Sequence, residues 1–385
     1  MHKLVLICGM GALGACATAD GPGGPADVAT SVATQDSFAY TPMGFARISD
    51  SGSGGGVGVG FDSASTATSA VTVTGSGGNY TVTFAGLGTT SSAGGSGGNV
   101  QVTAEGTNNV RCRITSWGGT TNLSASVQCS TPGGTVTASA FSVLYFRYAM
   151  PPSTNTLPTT AAYMWRPAGA TGVAAGQPFW DYNSTGTHNT VSGSGGSYTI
   201  TIPGATANNA SMMVTSYGGT AATGAVCSIA GWSVPSVNIE CRDAANHLVD
   251  SAFSFSYAFT GPAQLQQGAH AWFDGSAANT SYSAGLGKIE LCSPVSVTGS
   301  RTGSLVTIIV SGDIGPWDAT PFLRASFASG YGAASYCKVE SLTASGAAPS
   351  STATTTLRCY DPTGAVIATP QLTFTHATSD RAGPC

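Results

Sequence analysis

Apolar and polar residues alternate in short runs along this chain, a pattern typical of β-strands that bury one face. The run YTVTF at 80–84 is the clearest, because it places Tyr80, Val82 and Phe84 on one face and two threonines on the other. Clusters of Gly and Ser separate such runs, and no stretch of about a dozen residues has the apolar spacing of an amphipathic helix. The pattern therefore predicts an all-β protein with Gly-rich turns.

The strand runs occur three times in the same order, so the chain contains three copies of one unit. Each copy carries two cysteines, which recur about every 110–118 residues. The first and second cysteines of the copies are Cys112 and Cys129, Cys227 and Cys241, and Cys337 and Cys359. A period of this length is that of a whole domain. We expect each copy to fold as an antiparallel, Ig-like β-sandwich, with a small β-barrel as the alternative.

Turns and linkers divide the chain into a leader, a tether and three repeats. Gly134, Asn246 and Gly364 stand five residues after the second cysteine of each copy, where a turn with positive φ is expected. Polar segments that contain proline separate the copies. The expected organisation is a leader at 1–16, a flexible tether at 17–36, and three tandem β repeats at 37–150, 151–260 and 261–385.

Residues 1–16 have the character of an export signal, because Lys3 is followed by an apolar stretch and then by small residues. No later segment has about 20 consecutive apolar residues, so the sequence predicts no membrane-spanning helix after the leader. The segment LGAC at 13–16 resembles the lipobox of bacterial lipoproteins. The resemblance implies that Cys16 becomes the first mature residue and carries a diacylglyceryl thioether, which anchors the chain to a membrane. The alternative is an ordinary secretory cleavage after an Ala-x-Ala such as 15–17 or 17–19, which would discard Cys16.

Eight cysteines remain once Cys8 and Cys16 are set aside, and their positions predict four disulfides. The two cysteines within each repeat should pair with each other, which leaves Cys292 and Cys385 to form the fourth bond. Loops of this length contribute about 3 kcal/mol each in the chain-entropy model. Disulfides of this kind require an oxidising compartment. The sequence has no CxxC motif and no cluster of Cys and His at short spacing, so it argues against a zinc site.

Charged residues make up 8% of the chain, and the net charge is −4 with no basic run. Nucleic-acid binding needs clustered Lys and Arg, so the composition argues against it. The string GGSGG at 94–98 matches the GxSxG pattern of serine hydrolases, but it lies in a Ser/Gly loop with no helix after it. No carboxylate pair, metal-ligand cluster or cofactor motif stands out. The sequence therefore predicts no catalytic residue, no metal and no cofactor.

Four tryptophans separate into two pairs by their place in the repeat. Trp117 and Trp232 both follow the first cysteine of their copy by five residues, so we expect them to be buried in the core beside the disulfide. Trp180 and Trp317 have no counterparts in the other copies. We expect this second pair to be more exposed, and they are the candidate residues for stacking on a sugar.

The unit as a whole resembles a repeat found in secreted proteins of high-GC and predatory soil bacteria. The segments that carry the resemblance are YTVTFAGLG at 80–88, GGNVQVTAEG at 97–106, RCRITSWGG at 111–119 and FSVLY at 141–145. The resemblance implies secretion and a repeat architecture, and it implies no particular reaction.

These features together predict an exported, lipid-anchored protein of the cell envelope, at the outer membrane or the cell surface. Its expected role is binding, adhesion or surface structure. An extracellular protein or a glycan is the expected partner, besides the membrane itself. The first alternative is a carbohydrate-binding protein that uses an exposed Trp. The second is an extracellular hydrolase whose residues converge from separate repeats.

Overall fold

The computed structural model describes residues 43–50, 55–62, 71–88, 97–147, 161–170, 172–173, 181–206, 210–218, 224–258, 268–275, 286–287, 296–312, 324–332, 335–346 and 351–378. These ranges contain 25 β-strands and no α-helix. None of the described segments is a helix long and apolar enough to cross a membrane. The predicted leader, the tether and the repeat boundaries near 150 and 260 lie outside the described residues.

Repeat 1 forms a sandwich of two antiparallel layers. Its strands are β1 (Met43–Asp50), β2 (Gly55–Asp62), β3 (Val71–Ser76), β4 (Asn79–Phe84), β5 (Asn99–Ala104), β6 (Arg111–Gly118), β7 (Leu123–Ser130) and β8 (Phe141–Phe146). The layers have the strand orders β2-β1-β8-β5 and β6-β7-β4-β3. Val82, Phe84, Val127 and Phe141 lie in the core between them. The alternation read along β4 therefore does bury one face of that strand.

Repeat 2 has the same two-layer construction. Its strands are β9 (Ala161–Arg166), β10 (Gly172–Val173), β11 (Asp181–Asn183), β12 (Thr190–Ser194), β13 (Ser197–Thr201), β14 (Ser211–Tyr217), β15 (Val226–Ser233), β16 (Ser236–Arg242) and β17 (Ala252–Ala258). One layer runs β11-β9-β17-β14 and the other β10-β12-β13-β16-β15. Ile200, Ile239 and Phe255 lie in its core.

Repeat 3 repeats the arrangement once more. Its strands are β18 (Gly268–Phe273), β19 (Leu286–Gly287), β20 (Ser296–Thr302), β21 (Leu305–Gly312), β22 (Arg324–Tyr331), β23 (Tyr336–Ser345), β24 (Ser351–Tyr360) and β25 (Gln371–Thr378). The layers run β19-β18-β25-β22 and β20-β21-β24-β23. The prediction of an all-β protein with three tandem antiparallel sandwiches is confirmed.

One disulfide lies in each sandwich. The bonds join Cys112 to Cys129, Cys227 to Cys241 and Cys337 to Cys359. In each pair the two cysteines lie directly opposite each other on neighbouring antiparallel strands, and these are the pairs that the repeat alignment predicts. The predicted bond between Cys292 and Cys385 lies outside the described residues. The turns that follow also agree with the sequence, since Gly134, Asn246 and Gly364 have φ values of 85°, 67° and 91°.

Three equivalent contacts join the repeats edge to edge. In each, a residue at or just after the end of a central strand forms a parallel bridge with the preceding repeat of the ring, and the glycine after it donates its N–H to that repeat. The bonds are Gly218 N to Ile114 O at 2.8 Å, Gly332 N to Ile229 O at 2.9 Å and Gly106 N to Val339 O at 2.9 Å. Repeat 1 thus contacts repeat 2, repeat 2 contacts repeat 3, and repeat 3 contacts repeat 1. The repeats form a closed ring with approximate threefold symmetry.

We call each of these joints a seam, and name it by the repeats it joins: the 1–2, 2–3 and 3–1 seams. The central strands β5, β14 and β22 surround the ring's axis. A buried cluster of side chains from all three repeats lies between the sandwiches, and we call it the axial cluster. Its members are Met43, Phe45, Leu144, Phe146, Ala161, Tyr163, Met213, Phe327 and Ala377. The inner layer of each sandwich is therefore buried on both faces.

Candidate functional site

A cavity of about 50 Å³ lies on the axis, where the three repeats meet. Equivalent positions of the three repeats line it. They include Thr103, Thr215 and Ser329 from the central strands, and the first cysteine of each repeat with its preceding residue, namely Arg111 and Cys112, Val226 and Cys227, and Tyr336 and Cys337. The cavity is therefore a product of ring closure, since all three repeats contribute to its lining.

Three hydroxyl groups hold the central strands together at this level. Each accepts a hydrogen bond from a backbone N–H of the preceding repeat in the ring. The bonds are Val102 N to Thr215 Oγ1 at 3.2 Å, Val214 N to Ser329 Oγ at 3.0 Å and Ala328 N to Thr103 Oγ1 at 3.2 Å. These hydroxyls satisfy backbone groups that would otherwise be buried without partners. Their role is structural.

Arg111 breaks the symmetry of the lining. The position is valine in repeat 2 and tyrosine in repeat 3, whereas in repeat 1 it carries a guanidinium that is only 7% exposed. Arg111 donates to the carbonyls of Pro132 at 3.1 Å and Pro362 at 3.2 Å, and it lies over the ring of Tyr336. Burial lowers the pKa of Arg111 to about 10, and Tyr336 and Asp243 offset part of this effect.

Arg113 lies two residues along β6 and also lines the cavity. It is 7% exposed, and it donates from Nη2 to Gln128 Oε1. Its Nε is buried and has no hydrogen-bond acceptor in the described part of the chain. Burial lowers the pKa of Arg113 as well. Arg111 and Arg113 thus line the same small cavity.

Arg111 and Arg113 differ from four other arginines of this protein in having no carboxylate beside them among the residues that the structure describes. Four other arginines each lie within 4.0 Å of a carboxylate, and the pairs are Arg47 with Glu105, Arg166 with Asp250, Arg242 with Glu240 and Arg358 with Glu340. Neither Arg111 nor Arg113 has such a partner within the described ranges. The signal in the sequence was the pair of arginines around Cys112, in a chain with only 13 Lys and Arg in total.

Lys338 is a third buried cation and lies at the 3–1 seam. Its side chain is fully buried, and Nζ donates to the carbonyl O of Asn108 at 2.9 Å and to its Oδ1. Burial lowers the pKa of Lys338 to about 8, although Glu340 and Glu105 act in the opposite direction. Lys338 therefore binds its proton more weakly in the folded protein than in the unfolded chain, where a lysine pKa is about 10.4.

This difference predicts that stability rises with pH in a window set by Lys338. Between about pH 8 and pH 10 the unfolded chain holds the proton and the folded protein releases it, so the free energy of unfolding should increase by about 1–2 kcal/mol. Urea unfolding across this window should show the rise in the native protein. Lys338→Met should abolish it, whereas Arg301→Met, at a partly exposed position away from the seams, should keep it. A rise of equal size in Lys338→Met would refute the assignment.

The expectation that Trp117 and Trp232 are buried core residues is wrong in part. Each is half-buried, packs on the rim of its core, and reaches across a seam. Trp117 makes edge-to-face contacts with Trp165 and Tyr217 at ring-centroid distances of 6.1 and 5.0 Å. A β-bulge in β6 between Ile114 and Ser116 precedes Trp117 and changes its register. The recurrence of the tryptophan therefore reflects contact between repeats as well as core packing.

The 2–3 seam has the same aromatic triad. Trp232 contacts Trp272 and Tyr331 at ring-centroid distances of 5.5 and 5.0 Å, again edge to face. A bulge between Ile229 and Gly231 precedes Trp232. Because the rings contact one another by edges and faces, each triad is a packed joint. Trp165 and Trp272 occupy equivalent places in the two joints.

The 3–1 seam differs from the other two. Leu342 occupies the position of Trp117, and an ion pair occupies the positions of Trp165 and Tyr217. Arg47 donates to Glu105 through Nε at 3.0 Å and Nη2 at 2.7 Å, and Ser142 donates to the same carboxylate. Arg47 and Glu105 both belong to repeat 1, so this ion pair does not itself cross the seam. Two seams are therefore aromatic joints, whereas the third is joined by the bridge between Glu105 and Val339 and by the hydrogen bond from Lys338 to Asn108.

Three other site predictions fall on residues that the structure does not describe. Cys16, the candidate lipidation site, and Trp180 and Trp317, the candidate stacking residues, are all in this group. They remain predictions. A group of three or more His, Cys, Asp or Glu that could hold a metal ion is not found among the described residues.

A serine–histidine contact occurs in repeat 3, but it is not arranged for catalysis. Ser326 Oγ lies 3.0 Å from His376 Nδ1 and 2.9 Å from Thr355 Oγ1. Ser326 and His376 are 1% and 0% exposed, and the imidazole stacks on Phe374. A substrate cannot reach a nucleophile in this position without unfolding the sandwich. The contact stabilises the core between β22, β24 and β25.

No protein-family model matches this chain, and no curated protein or solved structure is significantly similar to it. The closed ring of three sandwiches and its axial cavity are therefore the features that bear on function.

Proposed function

We propose that this protein is an exported, lipid-anchored protein of the cell envelope, in which the three repeats form one rigid element for binding, adhesion or surface structure. The observation that carries the proposal is the ring itself. Three sandwiches, each with its own disulfide, are closed on one another through three seams and a common buried cluster. Such a construction resists deformation and presents a fixed outer surface.

The three disulfides fit an oxidising, extracellular location, because cytosolic thiols are kept reduced. The finer location is part of the proposal. The lipobox-like LGAC at 13–16 supports attachment through Cys16, at the outer membrane or the cell surface. The 8% of charged residues supports a polar, weakly charged surface that would meet an extracellular protein or a glycan rather than nucleic acid.

The attachment is tested by replacing Cys16 with serine in the producing cell. Intact-mass analysis of the native protein should show a diacylglyceryl-modified N-terminus at Cys16, and Cys16→Ser should move the protein from the membrane fraction to the soluble fraction. Cys8→Ser is the matched control, because it changes a cysteine of the leader that the mature protein does not retain. An unmodified N-terminus at Thr18 or Asp20 would contradict the anchor.

A further inference from the structure

The axial cavity contains more positive charge than its surroundings compensate. Arg111 and Arg113 are each 7% exposed and line the same space, and no Asp or Glu is among the residues that line it. Burying an unpaired charge costs several kcal/mol unless an opposite charge or good hydrogen bonds accompany it. Carbonyl oxygens satisfy part of Arg111, while Arg113 has one side-chain acceptor, Gln128.

Both guanidiniums also have N–H donors to spare. A guanidinium has five donors in a fixed plane. Arg111 uses two of them on Pro132 and Pro362, and Arg113 uses Nη2 on Gln128 while its buried Nε has no acceptor in the described residues. Arg166 and Arg301 also have a buried Nε of this kind, but Arg166 is paired with Asp250 and Arg301 donates to two carbonyls away from the cavity.

The size of the cavity limits what could complete these groups. A buried water needs a cavity of roughly 10–15 Å³. A space of about 50 Å³ therefore holds a few waters or one small ion. A cation would add charge of the same sign, and a neutral molecule would leave both arginines uncompensated. Tetrahedral oxyanions present several acceptors at the spacing that guanidinium donors match.

We infer that the axial cavity binds one small oxyanion, such as inorganic phosphate or sulfate, between Arg111 and Arg113. The anion would neutralise repeat 1's buried charge at the point where all three repeats meet. Since equivalent positions in repeats 2 and 3 are Val226 with Ser228 and Tyr336 with Lys338, and Lys338 is already bound by Asn108, one site is expected per chain. This inference goes beyond the proposed function and does not depend on export or anchoring.

The test is phosphate binding to the full-length protein by isothermal titration calorimetry at constant ionic strength, with chloride as the balancing anion. Wild-type protein should bind one phosphate. Arg113→Gln, which keeps amide donors but removes the charge, should weaken binding by about 10–100-fold, as expected for hydrogen bonds to a charged group. Arg301→Gln is the matched control and should bind phosphate as the wild type does. Absence of phosphate and sulfate binding in the wild type, or equal weakening in both variants, would overturn the inference.

Thermal melting of the wild type and of Arg113→Gln supplies a second measurement, and it also shows whether the variant is folded. A bound anion raises the melting temperature with a dependence on phosphate concentration that follows the occupancy of the site. Phosphate and sulfate also stabilise proteins in general because they are excluded from the surface. The wild type is therefore compared with Arg113→Gln, because the general effect acts equally on both proteins and only the wild type keeps the complete site. A gain that is the same in that variant and the wild type would overturn the inference, and a larger gain in the wild type supports it.

Discussion

Replacing Phe327 with alanine is expected to lower the free energy of unfolding by about 3–5 kcal/mol. Phe327 is 1% exposed and lies in the axial cluster, where it packs with residues of repeats 1 and 2 such as Phe45, Phe146 and Met213. Its removal leaves a cavity that the surrounding strands cannot fill, because each is fixed by its own sandwich. Urea unfolding followed by both circular dichroism and tryptophan fluorescence measures the loss.

The same experiment tests whether the axial cluster unites the repeats. If it does, Phe327→Ala should move the unfolding midpoint equally by circular dichroism, which reports all strands, and by fluorescence, which reports the tryptophans of the aromatic seams. These tryptophans lie outside the core of repeat 3, so their signal would not follow the substitution if repeat 3 unfolded by itself. Phe327→Leu, which keeps most of the volume, should cost less than about 1.5 kcal/mol. Val366→Ala, at a position that is 47% exposed, is the surface control and should have little effect. Separate transitions, with only one affected, would show that the repeats fold independently.

Trp232→Ala is expected to cost about 2–3 kcal/mol, less than a fully buried tryptophan because the ring is half-exposed. The loss comes from two edge-to-face contacts and from packing on the rim of the repeat 2 core. Trp117→Ala at the 1–2 seam should cost a similar amount, since its contacts with Trp165 and Tyr217 are equivalent. Thermal and urea unfolding of the two variants should therefore agree.

Leu342→Ala provides the comparison at the 3–1 seam. Leu342 has the place of the tryptophan but is smaller and has no aromatic ring, so we expect a smaller loss than at either aromatic seam. If Trp117→Ala and Trp232→Ala had no effect on stability, the triads would not be joints between repeats. The two tryptophans would then be available for ligand contact instead.

Much of the architecture is visible in the sequence because it depends on local patterns. Alternation in the strands, such as Tyr80, Val82 and Phe84, identifies their buried face, and the cysteine spacing identifies the repeat. Gly134 and Gly364 mark turns because glycine tolerates positive φ. Each of these signals is contained in a few neighbouring residues of one repeat.

The closure of the ring could not be predicted in this way, because it depends on pairs of residues far apart in the chain. One signal was present: a residue followed by glycine stands at or just after the end of each central strand, as in Glu105-Gly106, Tyr217-Gly218 and Tyr331-Gly332. Its meaning appears only when the partner strand of another repeat is known. The burial of Arg111 and Arg113 was hidden for the same reason, since an isolated repeat would expose β6 to solvent.

Ring closure changes how a repeat could separate from its neighbours. In an open row of three, an end repeat is released when one contact breaks. Here every repeat takes part in two seams, so after one seam opens its two edges stay tethered a short distance apart at a high effective concentration. They would rejoin before the second seam is lost, which makes brief openings under mechanical load reversible. The three seams together thus resist separation of a repeat more strongly than any one seam does by itself.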